Sequence, residues 1–402
     1  MRIAFCMINC NRRDGSARAV SEVAERLADR HEVHLFARTA EDLDLQKVRW
    51  HRVPGPGWPE VVDFTSYRFA AGRMLRARRF DIVHSIGCNV PRADVITIQN
   101  VQPAKRNVME RFGGYERVSI ARRLTRMLYL RVTSAAEHSL YTYRAGRRSL
   151  KFLPVSRGTE AELRFHYNIG RASVTVIPNA ADTSVFRPIA NGERREWRVQ
   201  NGIHADGVML MFSGGEWVRK GLDDAIRGVA RLDRANVQLF VAGDDPDRDR
   251  YRLLAREVGL GERVVFGGFR RDIATALAAA DIFLFPSWYE AFSLATIEAA
   301  ACGLPVVATR INGTEDFIQP HVTGEFIEHD AEQIAAVLRP LVDDAGLRRK
   351  VGDNARLLVG QHYTWDRVAA MTEAAYLEHL ATQDSRDGGE ARAETDPALT
   401  FL

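Results

Sequence analysis

Glu290 and Glu298, two glutamates eight residues apart, stand where carboxylates could do the most chemistry. They lie in Asp281–Glu315, DIFLFPSWYEAFSLATIEAAACGLPVVATRINGTE. An apolar run ending at Phe285–Pro286 reads as a buried strand. A short loop then carries Glu290, and a helix opening near Phe292–Ser293 holds Glu298 in its second turn. Gly303 and Pro305 end that helix. The N–H groups of Phe292, Ser293 and Leu294 have no intrahelical acceptor, and such a start suits an anion. With a rise of about 1.5 Å per residue the two carboxylates fall well apart, able to grip opposite ends of one extended ligand. Glu298 sits in the otherwise apolar Ala295–Cys302, where a carboxylate needs partners, and ribose hydroxyls would serve. The bland alternative, two solvated glutamates on a surface helix, fits that apolar context poorly.

A second segment, Met209–Leu222 (MLMFSGGEWVRKGL), has the same grammar of strand, glycine turn and helix. Gly214 and Gly215 let backbone approach a ligand closely. Arg219 and Lys220 stand just before the helix, where a diphosphate would meet them. A unit charge pair at about 4 Å is worth about 4 kcal/mol at an effective dielectric of about 20. The P-loop order GxxxxGK[ST] is absent. Gly15-Ser16 opens another helix without GxGxxG and suits a supporting phosphate contact through backbone N–H groups. Gly267-Gly268-Phe269-Arg270 follows a further strand and could hold a base by backbone contact with Phe269 or Arg270 stacking. A plain turn explains it nearly as well. Asp42-x-Asp44 and Asp245-x-Asp247 sit in polar loops and read as solvated charge, so no metal site is expected. His84 ends a buried strand and reads as structural.

The elements that must position these residues follow from hydropathy. Short apolar runs alternate with longer amphipathic stretches. The runs are Ile3–Ile8, Val33–Phe36, Ile82–His84, Val95–Ile98, Val174–Ile177, Val208–Phe212, Val237–Val241, Val264–Phe266, Ile282–Phe285 and Val306–Ala308. Ser16–Leu27, Gly221–Leu232 and Asp247–Val258 read as helices. Strands apolar almost throughout argue for parallel sheets covered on both faces, hence two doubly wound α/β domains. Length agrees, since 402 residues exceed one ordinary core. The prolines of IPNAADTSVFRP mark a connector at Pro178–Pro188. The expected division is 1–185 for one domain and 186–362 for a second that carries both glutamates. A helix at 363–382 packs back on the first, and a polar tail at 383–402 is disordered.

Composition is that of a globular chain, 46% hydrophobic and 27% charged. Four cysteines without a CxxC pair read as core residues in a reducing compartment. The opening apolar run is too short for a signal peptide and reads as a first strand, and no run approaches a membrane span. A cytoplasmic location is expected. The net charge of +4 conceals an asymmetry. Residues 104–151 hold 12 Lys and Arg against 3 Glu, whereas the remainder holds 44 basic against 49 acidic. Within that segment Ile120, Leu124, Leu128 and Val132 recur at four-residue spacing, flanked by Arg122, Arg123 and Arg126. One reading is a surface that docks on anionic lipid at the inner face of the plasma membrane, or on a phosphorylated acceptor. The other is a packed helix with a solvated basic face. Nucleic acid is not expected, because no aromatic platform or helix-turn-helix accompanies the charge.

Taken together, Glu290-AFSLATI-Glu298, Arg219-Lys220-Gly221, Gly268-Phe269-Arg270 and Ala301-Cys-Gly-Leu-Pro-Val-Val-Ala308 resemble the retaining glycosyltransferases of family 4. That family has the GT-B fold, two Rossmann-like domains facing a central cleft. The likeness is strong over Val208–Ile327. The first half resembles the family in outline, at Gly15-Ser16, Asp81-Ile-Val-His84, Val155-Ser156 and Ile177-Pro-Asn179. The resemblance implies that Glu298 binds the donor ribose and Glu290 the donor sugar. Arg219 and Lys220 would hold the diphosphate, with backbone N–H groups near Gly15 and at Ser293–Leu294 completing the phosphate site. It further implies front-face attack with retained anomeric configuration and neither metal nor cofactor.

Two positions depart from the family. Gly215 stands where an Arg is common, with Arg219 beside the Lys instead, an arrangement similar to the lipopolysaccharide-core glucosyltransferases. Gln99 stands where many members carry a histidine; it can orient a hydroxyl but cannot act as a base. With Asn100 and His138, Gln99 makes up the acceptor-side candidates. The expected reaction is transfer of a hexose from a nucleotide diphosphate sugar, UDP favoured, to a hydroxyl of a glycan or glycolipid, in cell-envelope polysaccharide or lipopolysaccharide synthesis. Two alternatives stand beside it: a glycoside hydrolase using the two glutamates, and a non-catalytic sugar-nucleotide-binding membrane adaptor.

Overall fold

The computed structural model describes residues 1–12, 15–112, 120–142, 150–170 and 173–394, with side chains at all but 109, 112, 120–123 and 384–394 of these. The chain divides into two compact units, Met1–Ile177 with Asp366–Leu402, and Pro178–Trp365.

The first unit runs β1 (Arg2–Cys6), β2 (Asn9–Cys10), α1 (Gly15–Ala28), β3 (Glu32–Ala37), β4 (Thr39–Ala40), β5 (Arg49–Arg52), α2 (Glu60–Arg76), β6 (Ile82–Ile86), β7 (Val95–Ile98), α3 (Gln102–Phe112), α4 (Ile120–Thr142), β8 (Lys151–Pro154) and α5 (Arg157–Tyr167). Its main sheet is parallel, in the order β5-β3-β1-β6-β7-β8, with Ile3 facing Val33 on one side and Ile82 on the other. β2 and β4 form a separate short pair.

The second unit runs α6 (Asn191–Gln200), β9 (Val208–Ser213), α7 (Leu222–Arg231), β10 (Val237–Ala242), α8 (Arg248–Glu257), β11 (Val264–Gly268), α9 (Ile273–Ala279), β12 (Ile282–Phe285), α10 (Leu294–Ala301), β13 (Val306–Thr309), α11 (Thr314–Phe317), β14 (Gly324–Ile327), α12 (Ala331–Asp343) and α13 (Ala345–His362). Its sheet is again parallel, in the order β11-β10-β9-β12-β13-β14. β12 and β13 are buried throughout, which is why they read as unbroken apolar runs. α7 buries Leu222, Ala225, Ile226 and Val229 at helical spacing, in one core with Leu210, Leu239 and Leu338. The last helix, α14 (Trp365–Glu394), returns to the first unit. There Tyr376 bonds His84 at 2.6 Å, Glu378 bonds Lys151 at 2.7 Å and Asp366 bonds Arg26 at 2.6 Å.

Several expectations shift. Val174–Ile177 is not a strand. Val174 makes one isolated bridge to Phe152, and Thr175 and Ile177 donate to the carbonyls of Phe152 and Pro154. Pro154 has no N–H with which to return a ladder bond. Conversely β5, β8 and β14 have no apolar run in sequence, because β5 is all Arg, Trp and His, β8 contains Lys151 and Pro154, and β14 begins Gly-Glu. The unit boundary falls at Pro178 rather than 186, because Asn179 donates to the Phe292 carbonyl at 3.5 Å and Ala181 bonds the Tyr363 carbonyl. The other boundary falls at Asp366 rather than 363. α14 continues as helix through Glu394, so residues 383–394 are helical where disorder is expected from their polarity. Residues 395–402 lie outside the described residues. All four cysteines are buried and unpaired, and burial pushes the Cys88 and Cys302 thiols up to about 12.

Candidate active site

In the second sheet the connections run outward in opposite directions from β9 and β12, so this pair is the topological switch point. Ligands of open α/β sheets bind at the carboxyl ends of such strands. The turn after β9 carries Gly214 to Lys220, and the loop after β12 carries Ser287 to Ser293.

The turn is built by its glycines. Gly221 has φ +73°, and a Cβ there would sit 1.9 Å from the Pro286 carbonyl oxygen. The start of α7 is thereby pressed against the end of β12. Gly214 has φ +130°, and a Cβ on it would reach 2.6 Å from Lys220 Cε. Trp217 pins the turn from inside: its indole N–H donates to the Gly214 carbonyl at 2.8 Å, and its backbone N–H to Asp245 Oδ2 at 3.0 Å. Asp245 is therefore bonded into the turn rather than merely solvated.

The loop closes on the turn. Glu290 Oε1 accepts from Arg219 Nη1 and from Lys220 Nζ, each at 2.9 Å. All three side chains are largely shielded from water, with 15%, 22% and 14% exposure respectively. Arg219 also bonds Glu216 Oε2 at 2.7 Å and the Tyr289 carbonyl, and its own carbonyl accepts from the Trp288 N–H at 2.9 Å. Lys220 Nζ lies 4.8 Å from the centre of the Phe285 ring. Burial opposes the charge on Glu290, but Lys220 and Arg219 outweigh it and hold its carboxyl below the usual range. Arg219 suffers the same desolvation, and Glu290 with Glu216 raises its pKa nonetheless. Two cations are thus balanced by two carboxylates, one buried and one, Glu216, 68% exposed.

α10 opens at Ser293, whose side chain makes no capping bond. Phe292, Ser293 and Glu298 are buried, Glu298 at 6% exposure in an apolar helix, and Leu294 is half-buried. A Cβ on Gly313 would meet Phe292 Cα at 2.8 Å, so the approach to α10 is fixed from that side as well. Gly215 is half-buried, and a Cβ there would lie 3.2 Å from the Asp244 carbonyl oxygen. After β11, Phe269 is 72% exposed, its ring face free of the intramolecular engagement that holds the next residue. Arg270 is engaged: its guanidinium bonds both oxygens of Asp272, at 2.8 and 2.6 Å, and lies over the Trp197 ring. Neighbouring residues had no distinct signal in sequence: Glu216 on Arg219, Phe285 beneath Lys220, and the main chain of Trp288 and Tyr289.

In the first unit, Gly15 is exposed and Ser16 half-buried at the start of α1, while residues 13 and 14 lie outside the described residues. Gln99 and Asn100 are half-buried just beyond β7, and the Asn100 side-chain oxygen accepts from Gln102 at 3.4 Å. His138 is exposed on α4, 6.1 Å from the Tyr167 ring. Of the basic segment, 113–119 and 143–149 lie outside the described residues, as do the side chains of Ile120, Arg122 and Arg123. Leu124 and Leu128 are 56% and 51% exposed on α4, Val132 is half-buried, and Arg126 is half-buried with an interaction partner. Among the described residues no helix is long and apolar enough to cross a membrane, and no cluster of three or more His, Cys, Asp or Glu could hold a metal ion.

A doubly wound α/β sheet with two cations, a shielded glutamate and an uncapped helix start at its switch point has the features that suit a phosphorylated ligand. The particular family follows from comparison. Residues 13–185 match the model for Glycosyltransferase Family 4, and residues 193–358 match that for Glycosyl transferases group 1. The two together span most of the chain, which belongs to this family of GT-B glycosyltransferases.

Three relatives illustrate the likeness. The lipopolysaccharide glucosyltransferase WaaG of Escherichia coli is 28% identical over 365 residues, 89% of this chain and 93% of WaaG. A crystal structure of WaaG matches with a TM-score of 0.75 at 25% identity, over 93% of this chain and 99% of that one. The MMP α-(1→4)-mannosyltransferase of Mycolicibacterium hassiacum is 28% identical over 363 residues, 86% of this chain and 80% of the relative. An uncharacterized glycosyltransferase of Methanocaldococcus jannaschii is 29% identical over 248 residues, 60% of this chain; the match spans just 63% of that relative, under two thirds of its length.

Proposed function

We propose that this chain is a retaining, metal-independent hexosyltransferase. It moves a sugar from a nucleotide diphosphate sugar, with UDP the favoured nucleotide, to a hydroxyl of a glycan or glycolipid of the cell envelope, lipopolysaccharide included. The observation that carries the reading is the convergence of Arg219, Lys220 and Glu290 at the ends of β9 and β12, beside the uncapped start of α10. Lys220 and Arg219 meet the diphosphate and stabilise its charge as it leaves, an electrostatic contribution made where charge develops. Phe292, Ser293 and Leu294 offer it backbone N–H groups. Glu290 meets the sugar hydroxyls and also orients both cations. Glu298 meets the ribose, and Phe269, rather than Arg270, offers a face to the base. Relatives named for glucosyl and mannosyl transfer agree with hexosyl chemistry.

The glycosidase alternative needs a carboxylic acid held protonated, with a raised pKa. Glu290 has the opposite shift. On the acceptor side Gln99 and Asn100 orient the incoming hydroxyl. The exposed Leu124, Met127 and Leu128 with the exposed Arg131 on α4 suit peripheral attachment to an anionic leaflet at the cytoplasmic face.

The test is nucleotide release from UDP-, GDP- and ADP-glucose in the presence of EDTA. Wild type releases nucleotide from at least one donor, and Lys220→Ala abolishes nearly all of it; unchanged turnover in that variant removes the phosphate assignment. Flotation with liposomes tests the surface: equal recovery on neutral and anionic vesicles removes the membrane role.

A further inference from the structure

Beside the Arg219–Glu290 pair stands a group of side chains that the donor contacts do not require. The Trp288 ring stacks on the His329 ring, with centroids 3.3 Å apart and planes at 3°. His329 Nδ1 lies 2.8 Å from Asp224 Oδ2, and since the carboxylate can only accept, the imidazole N–H donates. Trp288 belongs to the loop after β12, His329 to the connection between β14 and α12, and Asp224 to the first turn of α7. Three separate elements therefore meet at one stack.

We propose that Trp288, His329 and Asp224 are positioning residues that hold the Glu290 loop in register with the Arg219-Lys220 turn. The proposal rests on the donor-site reading above and extends it to what keeps that site in shape. Trp288 is two residues from Glu290, and its backbone N–H already bonds the Arg219 carbonyl at 2.9 Å. With Arg219 reaching the Tyr289 carbonyl and Glu290, loop and turn are joined along one edge. An edge of hydrogen bonds leaves the loop free to tilt about it. The face-to-face rings of Trp288 and His329 oppose the tilt, because the loop would have to unstack to move. Asp224 in turn fixes the plane of His329 from α7, the helix that the turn itself opens. His329 and Asp224 are 19% and 23% exposed, so water competes weakly for their bond. Their action reaches the site through the Trp288 backbone, whose N–H donates to the Arg219 carbonyl. Displacing a reacting group by about 1 Å can cost roughly a hundredfold in rate, and the clamp guards against that displacement.

The experiment measures kcat and KM for nucleotide release by the full chain, with whichever of UDP-, GDP- and ADP-glucose wild type turns over, alongside thermal unfolding. Trp288→Ala and His329→Ala should each lower kcat by roughly tenfold to a hundredfold with a much smaller change in KM. Trp288→Phe, which keeps a ring to stack, should recover most of that loss, and Asp224→Asn should fall between. The split of kcat from KM and the recovery by Phe separate positioning from plain loss of stability, which would lower the unfolding temperature and leave the kcat of folded protein intact. Wild-type kcat in folded Trp288→Ala and His329→Ala overturns the proposal, as does a Trp288→Phe as impaired as Trp288→Ala. If those variants are normal while Lys220→Ala is dead, the clamp alone falls. If wild type releases no nucleotide from any of the three donors, the donor-site reading falls and the clamp with it.

Discussion

At the scale of single residues the two glutamates do different work, and the difference is testable. Glu290 is held ionised by two cations that outweigh the penalty of its burial, so its proton is gone well below neutrality. An ordinary glutamate titrates near 4.3, and a lowered value keeps Glu290 charged at every pH above that. The pH profile of kcat/KM should therefore show no limb belonging to Glu290 between about pH 5.5 and 8. A limb in that window that disappears in Glu290→Gln would instead make it a general acid or base. Glu298 is buried in α10, and its proposed ribose contact is the same in ground and transition states. Glu298→Ala should accordingly raise the donor KM with kcat nearly unchanged, in steady-state kinetics with the preferred donor. The burial of Glu298 is legible in sequence, because its helix is apolar on all sides. The sharing of Glu290 between Arg219 and Lys220 is not, because it joins residues seventy positions apart through a turn whose path depends on Gly221.

At the scale of elements, the site depends on how closely α7 can start against the end of β12. Gly221 sits at that contact with a left-handed φ, and any Cβ would collide with main chain that has no flexible end to give way. Gly221→Ala should destabilise the protein by more than about 1 kcal/mol, read as a lower midpoint in urea, and should lose activity in what remains folded because Lys220 is moved from Glu290. A stability equal to wild type would mean that the turn can relax. The strand–turn–helix grammar around Gly214–Gly221 and Glu290–Glu298 is visible in sequence because the strands are apolar throughout and the helix starts follow glycine or serine. The base-side turn is less legible. Phe269 and Arg270 look alike as stacking candidates until Asp272 and Trp197 are seen to occupy Arg270. The stack of Trp288 on His329 has no sequence signal at all, since it pairs two loops with no shared periodicity.

At the scale of the whole chain, the alternation of apolar runs and amphipathic stretches is enough to identify two doubly wound sheets, because parallel strands buried on both faces show as unbroken hydrophobic segments. It cannot reveal β5, β8 and β14, whose edge or near-edge positions tolerate Arg, Lys, Pro and Gly. Nor does it reveal which side chains receive the last helix. His84, on β6, is one of them. It is fully packed between Thr97 Oγ1, 2.7 Å away, and the Tyr376 hydroxyl of α14, 2.6 Å away. Burial pushes its pKa down to about 3, so the folded protein holds it neutral. In the unfolded chain it titrates near 6.5. Between those values the unfolded state binds the extra proton, and stability therefore rises with pH across that window. The contribution of His84 is complete above about pH 6.5 and is lost as pH falls toward 3, at up to about 1.4 kcal/mol per pH unit for one proton. Burial lowers His34 and His51 in the same direction, so the wild-type slope alone does not assign the effect. His84→Asn separates it. The variant should be less stable than wild type at pH 7.5, because the bonds to Thr97 and Tyr376 are altered, yet lose less stability between pH 7 and 5. Parallel unfolding curves for the two proteins over that range would show that His84 titrates freely and that α14 is not held through a neutral imidazole.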